Sequence, residues 1–354
     1  MPRRAEIRFG LFLEPHDAYL LRRPRPPAAA ILIVAAPASS RSGPSVPGPS
    51  GNTLRGILLK VLSVSVFVAM SALIKAAGQL PAGQIVFFRS FFAIFPILVM
   101  LAWRHELATA LRTTNPMGHI ARGGVGVISM AFTFIALTRL PLPEAIMLNY
   151  AQPLLVVVFS AIFLHELVRA YRWTAVIVGL LGVVIISWPN LSLLDGEVDA
   201  DKTFGVVAAF LGATFSAVAM LLVRRLVHTE RTPTIVMWFS LTATVASLLT
   251  IPFGWSPLSL SQTAFLVMAG ICGGVAQILM TEAYRHAEAS TVAPFEYTSM
   301  ILGLVVGYLA FGDMPTAYTI VGGLIVVGAG IFIIMRERRL GLERGKARKV
   351  APPQ

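Results

Sequence analysis

From about Arg55 onward, apolar residues fall into ten runs of roughly 20 residues, the length a helix needs to cross a bilayer. They cover approximately 55–77, 82–102, 119–138, 142–164, 171–188, 204–226, 234–253, 262–285, 289–311 and 316–335. Turn chemistry separates them: Gly78-Gln79-Leu80-Pro81, Pro141 with Pro143, Trp188-Pro189-Asn190, Gly254-Trp255-Ser256-Pro257 and Gly312-Asp313-Met314-Pro315. Several connections are a few residues long, so consecutive helices must be antiparallel neighbours. The expected fold is an all-α integral membrane protein of ten transmembrane helices.

The pattern occurs twice. Glu144-Ala-Ile-Met-Leu-Asn149-Tyr150, leading to Leu164-His165-Glu166, is echoed by Thr291-Val-Ala-Pro-Phe-Glu296-Tyr297, leading to Phe311-Gly312-Asp313. The same offset lays Gly123 on Gly270, Gly126 on Gly273, Ala136 on Ala283 and Tyr171 on Tyr318. A slightly different one lays Ile85-Val-Phe-Phe-Arg89-Ser90 over Ile235-Val-Met-Trp-Phe239-Ser240. Five crossings per half is an odd number, so the halves run in opposite directions and the repeat is inverted. Many secondary transporters are built this way, with substrate held where the halves meet.

Charge sets the orientation. If the N-terminus is cytoplasmic, the inside loops carry Arg104, Arg112, Arg122, Arg169, Arg172, Arg224, Arg225, Arg231 and Arg285, and the tail adds Arg336 to Lys349. Outside loops and adjoining helix ends carry only Lys75, Arg139 and Lys202, with the acidic loop Asp195–Asp201. The excess of Lys and Arg on one side predicts that both termini are cytoplasmic. Charged residues make up only 13% of the chain, against about 25% in soluble domains, so its surface faces lipid. The net charge of +12 comes from loops, the first fifty-odd residues and the tail, with no basic stripe interleaved with aromatics; nucleic acid is not an expected partner. The lone Cys272 allows neither an intrachain disulfide nor a cysteine metal site. Residues 1–53, basic and Pro-rich, read as a disordered extension, and 337–354 as a basic cytoplasmic tail.

Ionisable groups inside a bilayer are costly and call for a reason. Arg89, about two turns into the second helix, is a candidate to bind an anionic group or to tie its helix to the bundle. Glu296, just past Pro294, is a candidate for substrate binding or for a coupling proton, because proline frees backbone carbonyls and loosens a helix. Asn149-Tyr150 and Glu296-Tyr297 are repeat mates, and with Gln152, Gln277 and Phe295 they are expected to line the central cavity. Glu282 is expected to pair with Arg285, and Lys60 to reach the membrane surface by snorkelling. Phe87, Phe88, Phe91, Phe92 and Trp238 face lipid or neighbouring helices, with a stacking platform for a flat ligand as the alternative. Nucleophile-elbow, phosphate-loop and His-Glu-x-x-His motifs are absent, and no two histidines stand at metal-ligand spacing. The chain therefore does not read as an enzyme, and no catalytic residue or metal is expected.

The chain resembles the drug/metabolite transporter superfamily in its ten-helix form with two EamA-type repeats. The residues that carry the likeness are Arg89 in Ile-Val-Phe-Phe-Arg-Ser, Phe163-Leu-His-Glu166, Arg172-Trp173 and Gly179-Leu-Leu-Gly182. In the second half they are Thr281 to Ser290, Ala293-Pro-Phe-Glu296-Tyr297 and Phe311-Gly-Asp313-Met-Pro315, with Asp313 where the family usually has Glu. The resemblance implies repeats at about 54–190 and 203–336. It also implies an inner-membrane carrier of a small organic solute that works by alternating access without a cofactor; a homodimer is allowed. Ala-Tyr-Arg and Ala-Pro-Phe-Glu-Tyr-Thr-Ser look most like the uptake members for riboflavin and S-adenosylmethionine, so riboflavin or a similar vitamin is the first substrate expected. Export of S-adenosylmethionine, an amino acid or a drug, and a passive channel, are the alternatives.

Overall fold

The computed structural model describes residues 52–163, 168–191, 200–226, 229–287 and 289–350; the stretch 1–51, with nearly all of the extension, the His165-Glu166 pair and most of the acidic loop lie outside them. All regular structure among the described residues is helical. In chain order the helices are α1 (Asn52–Ala76), α2 (Ala82–Trp103), α3 (Pro116–Arg139), α4 (Leu142–Asn149), α5 (Ala151–Phe163) and α6 (Ala170–Leu191). The second half holds α7 (Ala200–Leu226), α8 (Thr232–Leu248), α9 (Leu260–His286), α10 (Ala289–Val292), a 3-10 segment Ala293–Tyr297, α11 (Thr298–Phe311) and α12 (Ala317–Val350).

Nine spans among the described residues are long and apolar enough to cross a membrane, with α4 and α5 counted as one. The tenth expected span, α8, has 17 residues. It was expected to run to about residue 253, but it ends at Leu248 and gives way to a 3-10 turn, Ile251–Phe253, closed by Gly254 at φ 90°. The last helix also differs: α12 continues through the basic stretch to Val350 instead of stopping near residue 335.

Local sequence explains the ends. Asn115 accepts a hydrogen bond from the Gly118 N–H with Pro116 in the first helical position, a start signal for α3. Ser259 and Gln262 form a reciprocal capping box at the head of α9. Gly312 takes φ 68°, a left-handed turn that costs glycine nothing, and stops α11.

Packing follows the repeat. Helix α1 lies along α9, and α7 along α3; α2 packs on α9, and α8 on α3; α1 meets α11, and α7 meets α5. The pairs α2 with α8 and α6 with α12 each join counterparts from the two halves, and α4 packs on α11, so the two fourth spans also meet. Taken span by span, exchanging the halves turns these seams into themselves or into one another, the signature of an approximate two-fold relation. Small residues make close approach possible: Ala213, Ala217, Ala243, Ala269, Ala276 and Ala283 are fully buried. Where α6 crosses α12, a Cβ on Gly182 would stand 2.8 Å from the Gly322 carbonyl oxygen, so the two backbones nearly touch. Large apolar side chains such as Trp103, Phe253, Leu309 and Leu324 are exposed on the outside, as a lipid-facing surface requires.

Candidate functional site

The fourth span of each half is broken at the same repeat position. In the first half α4 ends at Asn149, and α5 begins after Tyr150. In the second, the backbone passes through 3-10 geometry from Ala293 to Tyr297 before α11 begins. Pro153 and Pro294 flank the two breaks, where the missing N–H groups weaken a regular ladder. The mates Tyr150 and Tyr297 pack against each other, with ring centroids 5.1 Å apart and planes at 47°. The Tyr150 hydroxyl donates to the Glu296 carbonyl at 3.1 Å and hydrogen-bonds with the Ser299 hydroxyl, which itself reaches the same carbonyl at 2.8 Å. Three expected site residues, Tyr150, Glu296 and Tyr297, therefore come together.

Their charged partner was not foreseen. Lys60 does not snorkel: its side chain is 1% exposed and its ammonium donates to Glu296 Oε2 at 2.7 Å. It also stands 5.5 Å from the Tyr284 ring centroid. Because α1 begins at Asn52, Lys60 lies deeper than a helix starting at Arg55 would place it, and the surface is out of reach. The Glu296 side chain is 51% exposed, so the pair joins a buried cation to an exposed carboxylate.

Arg89 is elsewhere. It is 6% exposed and its guanidinium carbon stands 5.9 Å from the ring of Phe239, its own repeat mate. Arg122, expected in a cytoplasmic loop, lies inside α3 with its guanidinium 3.8 Å from the same ring. The Asn115-Pro116 start signal would have revealed this, since it places Arg122 almost two turns into the helix. Asn149 is exposed, unlike its neighbour Tyr150; Gln152, Gln277 and Phe295 are half-buried. Glu282 pairs with Arg104 at the end of α2. The phenylalanines of α2 stack on one another, Phe87 on Phe91 at 5.4 Å, while Phe91 and Phe95 are exposed.

Further ties fix the ends of the bundle. Asp313 accepts from the Leu142 N–H at 2.8 Å at the head of α4 and pairs with Lys75 at 3.4 Å. Lys75 also donates to the Leu140 carbonyl at 2.6 Å. Helix α1 is thus bound to both ends of the fourth span of the second half, through Lys60 and Lys75. Between the spans, Glu230 accepts from the Thr113 hydroxyl at 2.7 Å, the Thr114 N–H at 2.9 Å and the Asn115 N–H at 3.2 Å. Burial alone would raise its pKa, but the bonds from Thr113 and Thr114 and the nearby His119 hold it down to about 2.

The EamA-like transporter family matches residues 54–188 and again 203–336. This chain belongs to that family. It is 35% identical over 282 residues to the pseudopaline exporter CntI of Pseudomonas aeruginosa, covering 78% of this chain and 94% of the relative. It is 28% identical to a riboflavin transporter of Rhizobium johnstonii, over 83% of this chain and 93% of that one. An S-adenosylmethionine uptake transporter of Rickettsia bellii is 24% identical, over 80% and 93%. A crystal structure at 22% identity superposes with a TM-score of 0.56, covering 82% of this chain and 98% of its own, and so shares the fold. The protein is a multi-pass inner-membrane transporter of the drug/metabolite superfamily, and its relatives act on small molecules.

Proposed function

We propose that this chain is an alternating-access carrier that exports a small organic metabolite, with both termini in the cytoplasm. The observation that carries the mechanism is the meeting of Tyr150 and Tyr297, repeat mates at the breaks in matching spans. Broken helices at a repeat interface leave polar backbone and side chains free to bind solute, and rocking of one half against the other opens the site to each side in turn. Glu296 is the group proposed to bind substrate or to carry a coupling proton, because its carboxylate is held by one buried lysine and its side chain is exposed. The 35% identity to the pseudopaline exporter supports export; uptake of riboflavin, first expected from the sequence, rests on the 28% relative and is the second reading. The cytoplasmic orientation is supported by the distribution of Lys and Arg.

Counterflow in proteoliposomes tests the carrier reading. Labelled solute should accumulate transiently against unlabelled solute on the other side. Simple equilibration without overshoot means a channel and rejects the proposal. The solute itself is found by screening metabolites for a rise in the melting temperature of the purified protein, since a ligand that binds only the folded state stabilises it by mass action.

A further inference from the structure

Arg89 is buried and Arg122 half-buried, and neither has a carboxylate partner among the described residues. Among the described residues, ion pairs join Lys60, Lys75, Arg104, His119 and Arg139 to carboxylates, and none reaches Arg89 or Arg122. Arg89 Nε, and Arg122 Nε and Nη1, are buried and make no hydrogen bond. A guanidinium presents five N–H donors in a fixed fork, and leaving such donors unmet in a low-dielectric interior is costly. The ring of Phe239 offers both groups a cation–π contact, but a ring face satisfies no N–H fork. Two like charges on one ring also repel.

The space around them is shaped. Gly126 and Gly273 are repeat mates, on α3 and α9. A Cβ on Gly126 would lie 3.3 Å from Arg122 Nη1 and 2.7 Å from the Phe239 ring. One on Gly273 would lie 3.3 Å from Arg89 Nε. Each half thus keeps one position bare beside one arginine. His119, on the same face of α3 and toward its cytoplasmic end, is fully buried, stacked on Trp238 at 5.5 Å, and has neither ring nitrogen hydrogen-bonded.

We infer that Arg89 and Arg122 form an oxyanion site around Phe239, separate from the Lys60–Glu296 pair, and that the transported solute carries a carboxylate or phosphate that fills it. Two guanidinium forks match the oxygens of either group bidentately. The bound anion supplies the missing acceptors and cancels the repulsion between the arginines. The inference rests on the carrier reading for the word transported; binding itself does not need transport.

The test is thermal unfolding of the full chain in detergent, with succinate, inorganic phosphate or chloride added at matched ionic strength. Succinate, phosphate or both should raise the melting temperature in a saturable way, and chloride should not; whichever acts names the group. Arg89→Gln and Arg122→Gln should each abolish the shift. Arg122→Lys, which keeps charge but loses the fork, should weaken it on the order of tenfold. Without added anion, the double Gln variant should melt no lower than the wild type. No shift with either oxyanion, an equal shift with chloride, or a shift that survives in both Gln variants overturns the site. A double variant that melts well below wild type, with no oxyanion response in wild type, makes the arginines structural clamps on Phe239. Counterflow that succeeds while oxyanion binding fails rejects this site and leaves the carrier; binding that succeeds without counterflow does the reverse.

Discussion

Lys60 and Glu296, 236 positions apart in sequence, meet at 2.7 Å across the seam between α1 and the broken fourth span of the second half. Lysine is the buried partner and glutamate the open one, so the two ends of the pair are not equivalent. Glu296→Gln leaves Lys60 buried with a neutral acceptor and should cost about 1–3 kcal/mol, between the exposed and fully buried cases. Lys60→Met combined with Glu296→Gln should recover part of that loss. Thermal unfolding of the three variants measures it; a double variant less stable than the sum of the singles would mean that the pair is not what holds this seam.

Transport separates the two roles proposed for the same carboxylate. If Glu296 carries a coupling proton, Glu296→Gln should abolish accumulation against a gradient while exchange continues. If it only binds solute, exchange should weaken as well. Full accumulation at normal expression would assign the charge a purely structural role.

Glu230 gives a pH signature outside the membrane spans. Its pKa is lowered to about 2 from an ordinary 4.5, so its link to Thr113, Thr114 and Asn115 is fully present above the higher value and is lost as pH falls toward the lower one. The stability difference between wild type and Glu230→Gln should stay constant from neutral pH to about 5 and shrink below about 4.5. A difference that grows in acid would contradict the depressed value.

Gly182 should tolerate no side chain. An added Cβ would press on the Gly322 carbonyl at 2.8 Å, and backbone cannot swing aside as a flexible side chain can. Gly182→Ala should destabilise by about 1–3 kcal/mol, the usual range for overpacking, and Gly182→Leu should fail to accumulate in the membrane. Wild-type melting of the alanine variant would show that the seam between α6 and α12 can open.

Orientation is checked with a reporter active only in the cytoplasm. Fused after Arg338 it should be active; inserted within Asp195–Asp201 it should be silent. The opposite pattern would turn the protein over in the membrane.

The architecture was legible because membrane crossing leaves few options: long apolar runs, turn residues between them and an echo at fixed offset suffice for ten spans in two inverted halves. The Tyr150–Tyr297 meeting followed from the same echo. What stayed hidden were contacts that depend on helix register. Starting α1 three residues late made Lys60 look able to reach the surface, and Arg122, at the edge of the expected third span, was counted with the loop charges although α3 begins at Pro116. Position along a helix singled out Arg89 and Glu296, but position alone does not say which charges meet. Arg89 faces Phe239, while Glu296 faces Lys60. The Glu282–Arg104 pair was missed because it depends on how α2 lies along α9.

A bundle whose seams map onto one another would, left to its backbone, have no preference between facing one side of the membrane and facing the other. If the chain alternates as proposed, the bond between Lys60 and Glu296 removes that indifference. Its counterpart in the first half would need an acid at position 149 and a base on α7 near 207–210, and the chain has Asn149 and Val207-Ala208-Ala209-Phe210 there. The Lys60–Glu296 latch therefore has no equivalent at the matching positions of the first half. On the alternating-access reading proposed above, a latch present in one half only biases the direction the carrier faces at rest, at about 1.4 kcal/mol for each tenfold in population.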